Sequence, residues 1–308
     1  MRIVVHGQQA FGEAVLQKLL ARGEDVVAVF TAPEREGQRA DPLRILAAQR
    51  AIPVHQPKSW KAPEAGELMA SFAPDLCVMA YVTLLVPQAV LDVPKLGTIQ
   101  YHPSLLPRHR GPSSINWPIA MGETRTGLSI FWPDEGLDEG PILLQKQVDI
   151  GPDETLGDIY FKKLFPLGVD AMIEAVDLVR EGRAPRIEQD HDQATYESWF
   201  DAKAARLDWS APVGEIYNLI RAANPKPGAW TLWGGDKLRI FDAGKVVGDG
   251  DVPPPGTILA ISDDGILVAA PGGRIRIARV RPATGPKIAA ADFARSQSLK
   301  VGDRFDAS

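Results

Sequence analysis

Cysteine is almost absent from this 308-residue chain: its one thiol, Cys77, lies in the apolar run Asp75-Leu76-Cys77-Val78-Met79-Ala80. No intramolecular disulfide is possible, which predicts a reducing, cytoplasmic setting. Also missing is any run of about 18 apolar residues, and the first strand begins at Arg2-Ile3-Val4-Val5, too early for a basic and apolar leader. The chain is expected to be soluble, with no membrane partner. Paired cysteines and His-x-x-x-His spacings are lacking too, and His6, His55 and His191 are scattered. No catalytic metal is predicted.

Acidic side chains, 39, outnumber the 34 lysines and arginines. The net charge is −5; residues 1–205 carry 20 basic and 28 acidic side chains, and residues 206–308 carry 14 and 11. Only the C-terminal third favours a polyanion, and its net +3 is weak for nucleic-acid binding. The apolar fraction of 45% is that of a globular protein, and the length predicts about two domains.

The first 100 residues alternate apolar runs with amphipathic stretches. Ile3-Val4-Val5, Val26-Val27-Ala28-Val29-Phe30, Pro53-Val54-His55 and Leu76-Cys77-Val78-Met79-Ala80 read as strands. Between them, a helical period through Val15, Leu16, Leu19 and Leu20 is followed by predicted helices over 42–50 and 64–72. This order predicts an α/β fold with an open, mostly parallel, Rossmann-like sheet covered by helices. Gly7 and Gly12 do not make a dinucleotide fingerprint, because the central glycine is missing and no acidic residue follows Phe30-Thr31. Gly7 is expected to serve a tight strand-to-helix turn, and Gly12 close helix packing.

The texture changes at Thr98. A strand Thr98-Ile99-Gln100-Tyr101 leads to His102-Pro103-Ser104 and the loop Leu105 to Pro112; a helix over 113–121 follows, with Ser113 or Ser114 as the expected cap. A second strand, Thr126 to Trp132, leads to the loop Pro133 to Gly140. If both loops sit at carboxyl ends of strands, they face one crevice, the usual ligand site of such sheets. His102 and Asp138, each framed by Pro and Gly, are the candidate acid-base pair.

The block from His102 to Gly140 resembles the formyltransferases that use 10-formyltetrahydrofolate, in which a strand-end His precedes Ser-Leu-Leu-Pro and an Asp sits in Leu-Asp-x-Gly. Tyr101 to Gly111, Ser129-Ile130-Phe131-Trp132 and Leu143-Leu144-Gln145-Lys146 are similar to the hydrolase domain of 10-formyltetrahydrofolate dehydrogenases. Leu207-Asp208-Trp209-Ser210, Ile220-Arg221, Asn224-Pro225 and Pro255-Gly256-Thr257-Ile258-Leu259 resemble the C-terminal domain of methionyl-tRNA formyltransferases. The resemblance implies a formyltransferase domain at 1–183, a linker at 184–205 and a small OB-like β-barrel at 206–308. Within the last, helix 211–223 and strands at 238–241, 256–260, 266–269 and 274–277 are expected; helix 155–182 resembles the family's long helical return.

Formyl transfer attacks an amide-like carbonyl, passes through an oxyanion and expels N10 of the folate, a poor leaving group until protonated. His102 suits proton shuttling and polarisation, and Asp138 suits taking a proton from the nucleophile or orienting the imidazolium. By resemblance the folate lies on backbone groups of Tyr81, Val82, Thr83, Leu84 and Leu85, of Pro133, Asp134, Glu135 and Gly136, and beside Ser104. Two departures bear on the acceptor. Gln100 stands where the transferases carry an Asn that serves the oxyanion, and the Thr31 to Pro42 loop is shorter and less basic than the tRNA-gripping loop. The residues therefore favour water as acceptor, giving tetrahydrofolate and formate. Transfer to initiator methionyl-tRNA is the alternative, and a folate-binding module without turnover is the alternative of another class.

Overall fold

Apolar runs that are hydrophobic on both sides become the centre of a parallel sheet, because only a strand covered on both faces can bury every side chain. The computed structural model describes residues 1–34, 37, 39–248 and 253–305. Five strands carry the parallel part: β1 (Arg2–Gly7), β2 (Asp25–Phe30), β3 (Val54–His55), β4 (Leu76–Ala80) and β5 (Thr98–His102). With β6 (Arg125–Phe131) and β7 (Ile142–Asp149) they form one seven-stranded sheet, in the order β3-β2-β1-β4-β5-β6-β7. Helices α1 (Gln9–Ala21), α2 (Pro42–Gln49), α3 (Pro63–Ser71), α4 (Gln88–Leu91) and α5 (Asn116–Ala120) punctuate the strands.

Close packing divides the chain into two compact units. The first holds Met1–Gly111, Gly127–Val148 and Lys163–Tyr196; the second holds Pro112–Thr126, Asp149–Lys162 and Glu197–Ser308. In the first unit, strand parity sorts the core. Val4, Ala28, Phe30, Cys77 and Met79 gather with Trp60, Ala65 and Met69 of the α3 side. On the opposite face Tyr101 stacks on Phe11 of α1 at 4.2 Å, and the ring of Phe165, which opens α7 (Phe165–Arg180), meets Phe11 edge-on at 5.6 Å. Gly168 of α7 leaves room for that stack, since a Cβ there would lie 2.6 Å from Tyr101.

Gly7 is demanded by proximity rather than by turn conformation: a Cβ on it would stand 2.2 Å from the Ala80 carbonyl oxygen. Gly12 lets α1 settle against α2, with Leu43 Cδ2 2.9 Å from where its Cβ would be.

The expected helix over 155–182 is divided. Thr155 and Asp158 form a reciprocal capping box that opens α6 (Leu156–Ile159), a π-type turn spans Tyr160–Leu164, and α7 then runs to Arg180. The helix over 113–121 contracts to α5, because Ser113 does not cap it. Its Oγ accepts from Phe200 N at 3.0 Å, and its φ is +63°.

In the second unit, α8 (Val213–Ala222) is followed by β8 (Ala229–Trp233), β9 (Asp236–Val247), β10 (Ile258–Ser262), β11 (Gly265–Ala270), β12 (Gly273–Arg281) and β13 (Ile288–Ala289), then α9 (Ala290–Ser296). These strands form one antiparallel sheet, ordered β10-β11-β12-β9-β8 with β13 beside β12. It is a barrel-like C-terminal architecture. Arg274 and Arg276 are exposed on one face of β12 while Ile275 and Ile277 are buried on the other, as strand alternation requires.

His6 lies within the first unit's core, tilted against Trp60 at 4.8 Å, with no hydrogen-bond partner for its Nδ1. Burial pushes this imidazole from its ordinary 6.5 down to about 3. The unfolded chain takes up a proton below about pH 6.5 that the folded chain refuses. Stability from this site is therefore full above pH 6.5 and falls as pH drops, by about 1.4 kcal/mol per unit. A His6→Leu variant should lose this acid-side slope, measured as urea midpoints from about pH 7 to 5.

Candidate functional site

His102 is delivered by β5. Alternation puts Gln100 and His102 on one face of the strand, the face that also carries Met79, since Met79 and Gln100 are register partners. The expectation that His102 and Asp138 meet because two strands end together is corrected by the sheet. Strand β6 runs antiparallel to β5, with Ser129 opposite His102 and Phe131 opposite Gln100, so the two carboxyl ends point apart. The side chains meet because the loop after β6 folds back. Trp132 N donates to Pro141 O at 2.9 Å, closing the loop's base. Only glycine fits at its end, where a Cβ on Gly140 would stand 1.8 Å from Trp132 O.

The outcome is a close pair. His102 Nδ1 lies 3.4 Å from Asp138 Oδ2, with 7% and 8% of the two side chains exposed. The other ring nitrogen, Nε2, is 2.8 Å from the His109 carbonyl oxygen. A carbonyl only accepts, so Nε2 carries the hydrogen and donates. Nδ1 then faces a carboxylate oxygen, and a proton between them turns two opposed lone pairs into an attraction. The same Oδ2 accepts from Gly111 N at 2.8 Å.

This geometry is held under backbone strain. Asp138 has φ +57° and His109 φ +56°, left-handed conformations that cost a non-glycine residue about 1–3 kcal/mol each. What stabilises them comes partly from a segment read as linker. Gln189 Nε2 donates to Asp138 O at 3.0 Å and Gly140 O at 2.7 Å, and Gln189 Oε1 accepts from Arg110 Nη2 at 2.8 Å. Thr195 Oγ1 accepts from His109 N at 2.8 Å, and Tyr196 OH donates to Glu139 Oε1 at 2.7 Å. Sequence reasoning missed Gln189, Thr195, Tyr196 and the buried Arg110, because nothing local in 184–205 signals partners so distant along the chain.

The remaining predicted residues fall in distinct places. Ser104 is fully buried; its hydroxyl donates to Arg108 O at 2.7 Å, and its carbonyl accepts from Ser129 Oγ at 2.7 Å. Gln100 is half-buried. Tyr81, Val82, Thr83 and Leu84 line a narrow cleft with Gly7 and Gln8, between β1 and β4, the point at which the strand order reverses. His102 and Asp138 do not line that cleft, and neither does Leu85, which is 62% exposed. In the 133–140 loop, Asp134 Oδ1 accepts from Gly136 N at 3.0 Å; Pro133 is half-buried and Glu135 exposed. Leu137 beside Asp138 is 50% exposed. Of the Ala32 to Asp41 loop, Arg35, Glu36 and Gln38 lie outside the described residues; Glu34 Oε1 accepts from Asp41 N and Arg44 Nε.

No group of three metal-ligating side chains and no helix long and apolar enough to cross a membrane is found among the described residues. In the second unit, a cavity of about 450 Å³ is lined by Tyr217, Arg221 and Lys245, among others. There Arg221 Nη1 donates to Glu154 O and Gly151 O, and Tyr217 OH to Asp153, contacts that hold the 151–155 loop against α8, while the buried Arg221 Nε has no hydrogen-bond partner among the described residues.

A mostly parallel sheet presents a strand-end imidazole beside a folded-back carboxylate, and comparison with known proteins gives the family. The family model for Formyl transferase matches residues 1–176, and that for its C-terminal domain matches 201–298. The chain belongs to the formyl transferase family. It is 42% identical over 258 residues to the cytosolic 10-formyltetrahydrofolate dehydrogenase of Xenopus tropicalis, covering 82% of this chain but 28% of that protein. The chain thus spans under a third of the dehydrogenases it matches. It is 36% identical over 307 residues to the methionyl-tRNA formyltransferase of Geotalea uraniireducens (strain Rf4), covering 98% of this chain and 97% of that one. HypX from Aquifex aeolicus, solved with tetrahydrofolic acid, shares the fold with a TM-score of 0.69 at 18% identity, over 100% of this chain and 51% of that one.

Ser129 ties the His102 loop to the sheet. Its buried Oγ donates to Ser104 O and accepts from Leu106 N at 3.1 Å and Gln145 Nε2 at 2.9 Å. A Ser129→Ala substitution leaves the buried Leu106 N–H without its acceptor, and should lower stability by about 1–3 kcal/mol in urea unfolding.

Proposed function

We propose that this chain removes the formyl group from N10 of 10-formyltetrahydrofolate and passes it to water, releasing tetrahydrofolate and formate. The 3.4 Å approach of His102 Nδ1 to Asp138 Oδ2 supports the acid-base removal of the formyl group, and Gln100 with the short, weakly basic Thr31 to Pro42 loop favours water as its acceptor. In the attack, Asp138 takes the proton of the incoming water, His102 holds and relays it, and N10 leaves protonated. Such acid-base assistance is worth about 10²–10⁴ in rate. Gln100, on the same strand face as His102, is the candidate donor to the oxyanion.

The folate would lie along Tyr81, Val82, Thr83, Leu84 and Leu85 and along Pro133 to Gly136, with Ser104 shaping the loop beneath the imidazole. Apolar side chains are open on these loops: Tyr81 is 46%, Leu84 37% and Leu137 50% exposed. A flat pterin suits such surfaces, because its rings cover apolar area while its polar edge meets backbone groups. Along the sequence our domain limits are 1–183 for the formyltransferase domain, 184–205 for a linker and 206–308 for an OB-like barrel, although 112–126 and 149–162 pack within the second compact unit and 184–196 within the first; the setting we propose is the cytoplasm.

One observation favours a second reading, transfer to initiator methionyl-tRNA. The match to a methionyl-tRNA formyltransferase runs through 98% of this chain and 97% of that protein. Incubation of the purified chain with 10-formyltetrahydrofolate, with and without charged initiator tRNA, separates the two. Our reading expects tetrahydrofolate and formate without any acceptor; release that depends strictly on the tRNA would replace it by the second.

A further inference from the structure

We propose that Gln189 is a positioning residue for the Asp138 carboxylate, and that Arg110 is the buried hub that orients Gln189. This rests on reading His102 and Asp138 as the acid-base pair. The side-chain amide of Gln189 is fully committed. Its oxygen accepts from Arg110 Nε at 3.2 Å and Nη2 at 2.8 Å, which turns its NH₂ toward Asp138 O at 3.0 Å and Gly140 O at 2.7 Å. One planar group therefore holds the carbonyls on both sides of Glu139, fixing the left-handed turn at Asp138, φ +57°.

Arg110, 1% exposed, occupies the position where this matters most. The residue before it offers the carbonyl that accepts from His102 Nε2, and the residue after it offers the N–H that donates to Asp138 Oδ2. Its own N donates to Thr195 O at 3.0 Å, and its Nη1 donates to Tyr196 OH, which in turn donates to Glu139 Oε1. The circuit from His102 through His109, Arg110 and Gln189 to Asp138 is closed. A guanidinium supplies this because its rigid fork serves several acceptors at once, which a lysine does not.

The test uses the full chain carrying Gln189→Glu, which keeps the acceptor for Arg110 and loses both donors, with the uncharged Gln189→Met beside it in case the added charge prevents folding. Two readouts are taken. Amide hydrogen exchange at Gly111 should accelerate at least about tenfold while amides of β5 keep their protection. With 10-formyltetrahydrofolate, kcat should fall about 10- to 100-fold with KM within about twofold, as for a displaced reacting group. In an Asp138→Asn background the same change should cost less than about twofold, since the group it positions is gone. Unchanged Gly111 exchange, or an undiminished kcat loss beside Asp138→Asn, would overturn the proposal. A wild-type chain that releases no tetrahydrofolate sinks the proposed function instead, and Gly111 exchange then decides this inference alone.

Discussion

The site depends on a single polar constraint, the encounter of His102 Nδ1 with Asp138 Oδ2 at 3.4 Å. Because the His109 carbonyl can only accept, it fixes the hydrogen on Nε2 and leaves Nδ1 to face the carboxylate. In the function we propose, a proton passed between these two atoms is what the leaving N10 needs.

The fold meets that constraint by uniting segments far apart in sequence. The parallel sheet brings β5 into a rigid central position, so His102 rests on strand backbone rather than on a loop. Asp138 arrives differently, on a loop that doubles back from an antiparallel strand and is pinned by Gly140 against Trp132 O. Left-handed backbone at His109 and Asp138 is the cost, offset by the His109 N–H donating to Thr195 Oγ1 and by Gln189 donating to the Asp138 carbonyl. Strained residues persist where their surroundings over-determine them, and here the surroundings include residues 188–196.

Much of this was legible in the residues. Val26 to Phe30 and Leu76 to Ala80 are apolar without interruption, which is the mark of strands covered on both faces; Leu76 to Ala80 is buried throughout and the first run from Ala28 to Phe30, with Val26 and Val27 half-buried. His102 and Asp138 stood out through the resemblance of the block from His102 to Gly140; the Pro and Gly near them, taken alone, are as consistent with ordinary turns. The direction of β6 was not, since alternation of buried and exposed residues reads the same in parallel and antiparallel strands. Only Leu238 to Phe241 of the longer β9 declared itself, because the rest of that strand is largely exposed and lacks an apolar rhythm. The segment 188–196 reads as a polar linker for a similar reason. Gln189 and Thr195 look solvated until Arg110 and His109 meet them.

The account stands most directly on single-turnover release of tetrahydrofolate from 10-formyltetrahydrofolate by His102→Ala, Asp138→Asn and the double variant. If imidazole and carboxylate work as one unit, each single change slows release about 10²–10⁴-fold and the double variant is no slower than the worse single. Losses that multiply in the double variant, or singles that keep near wild-type rates, would contradict it.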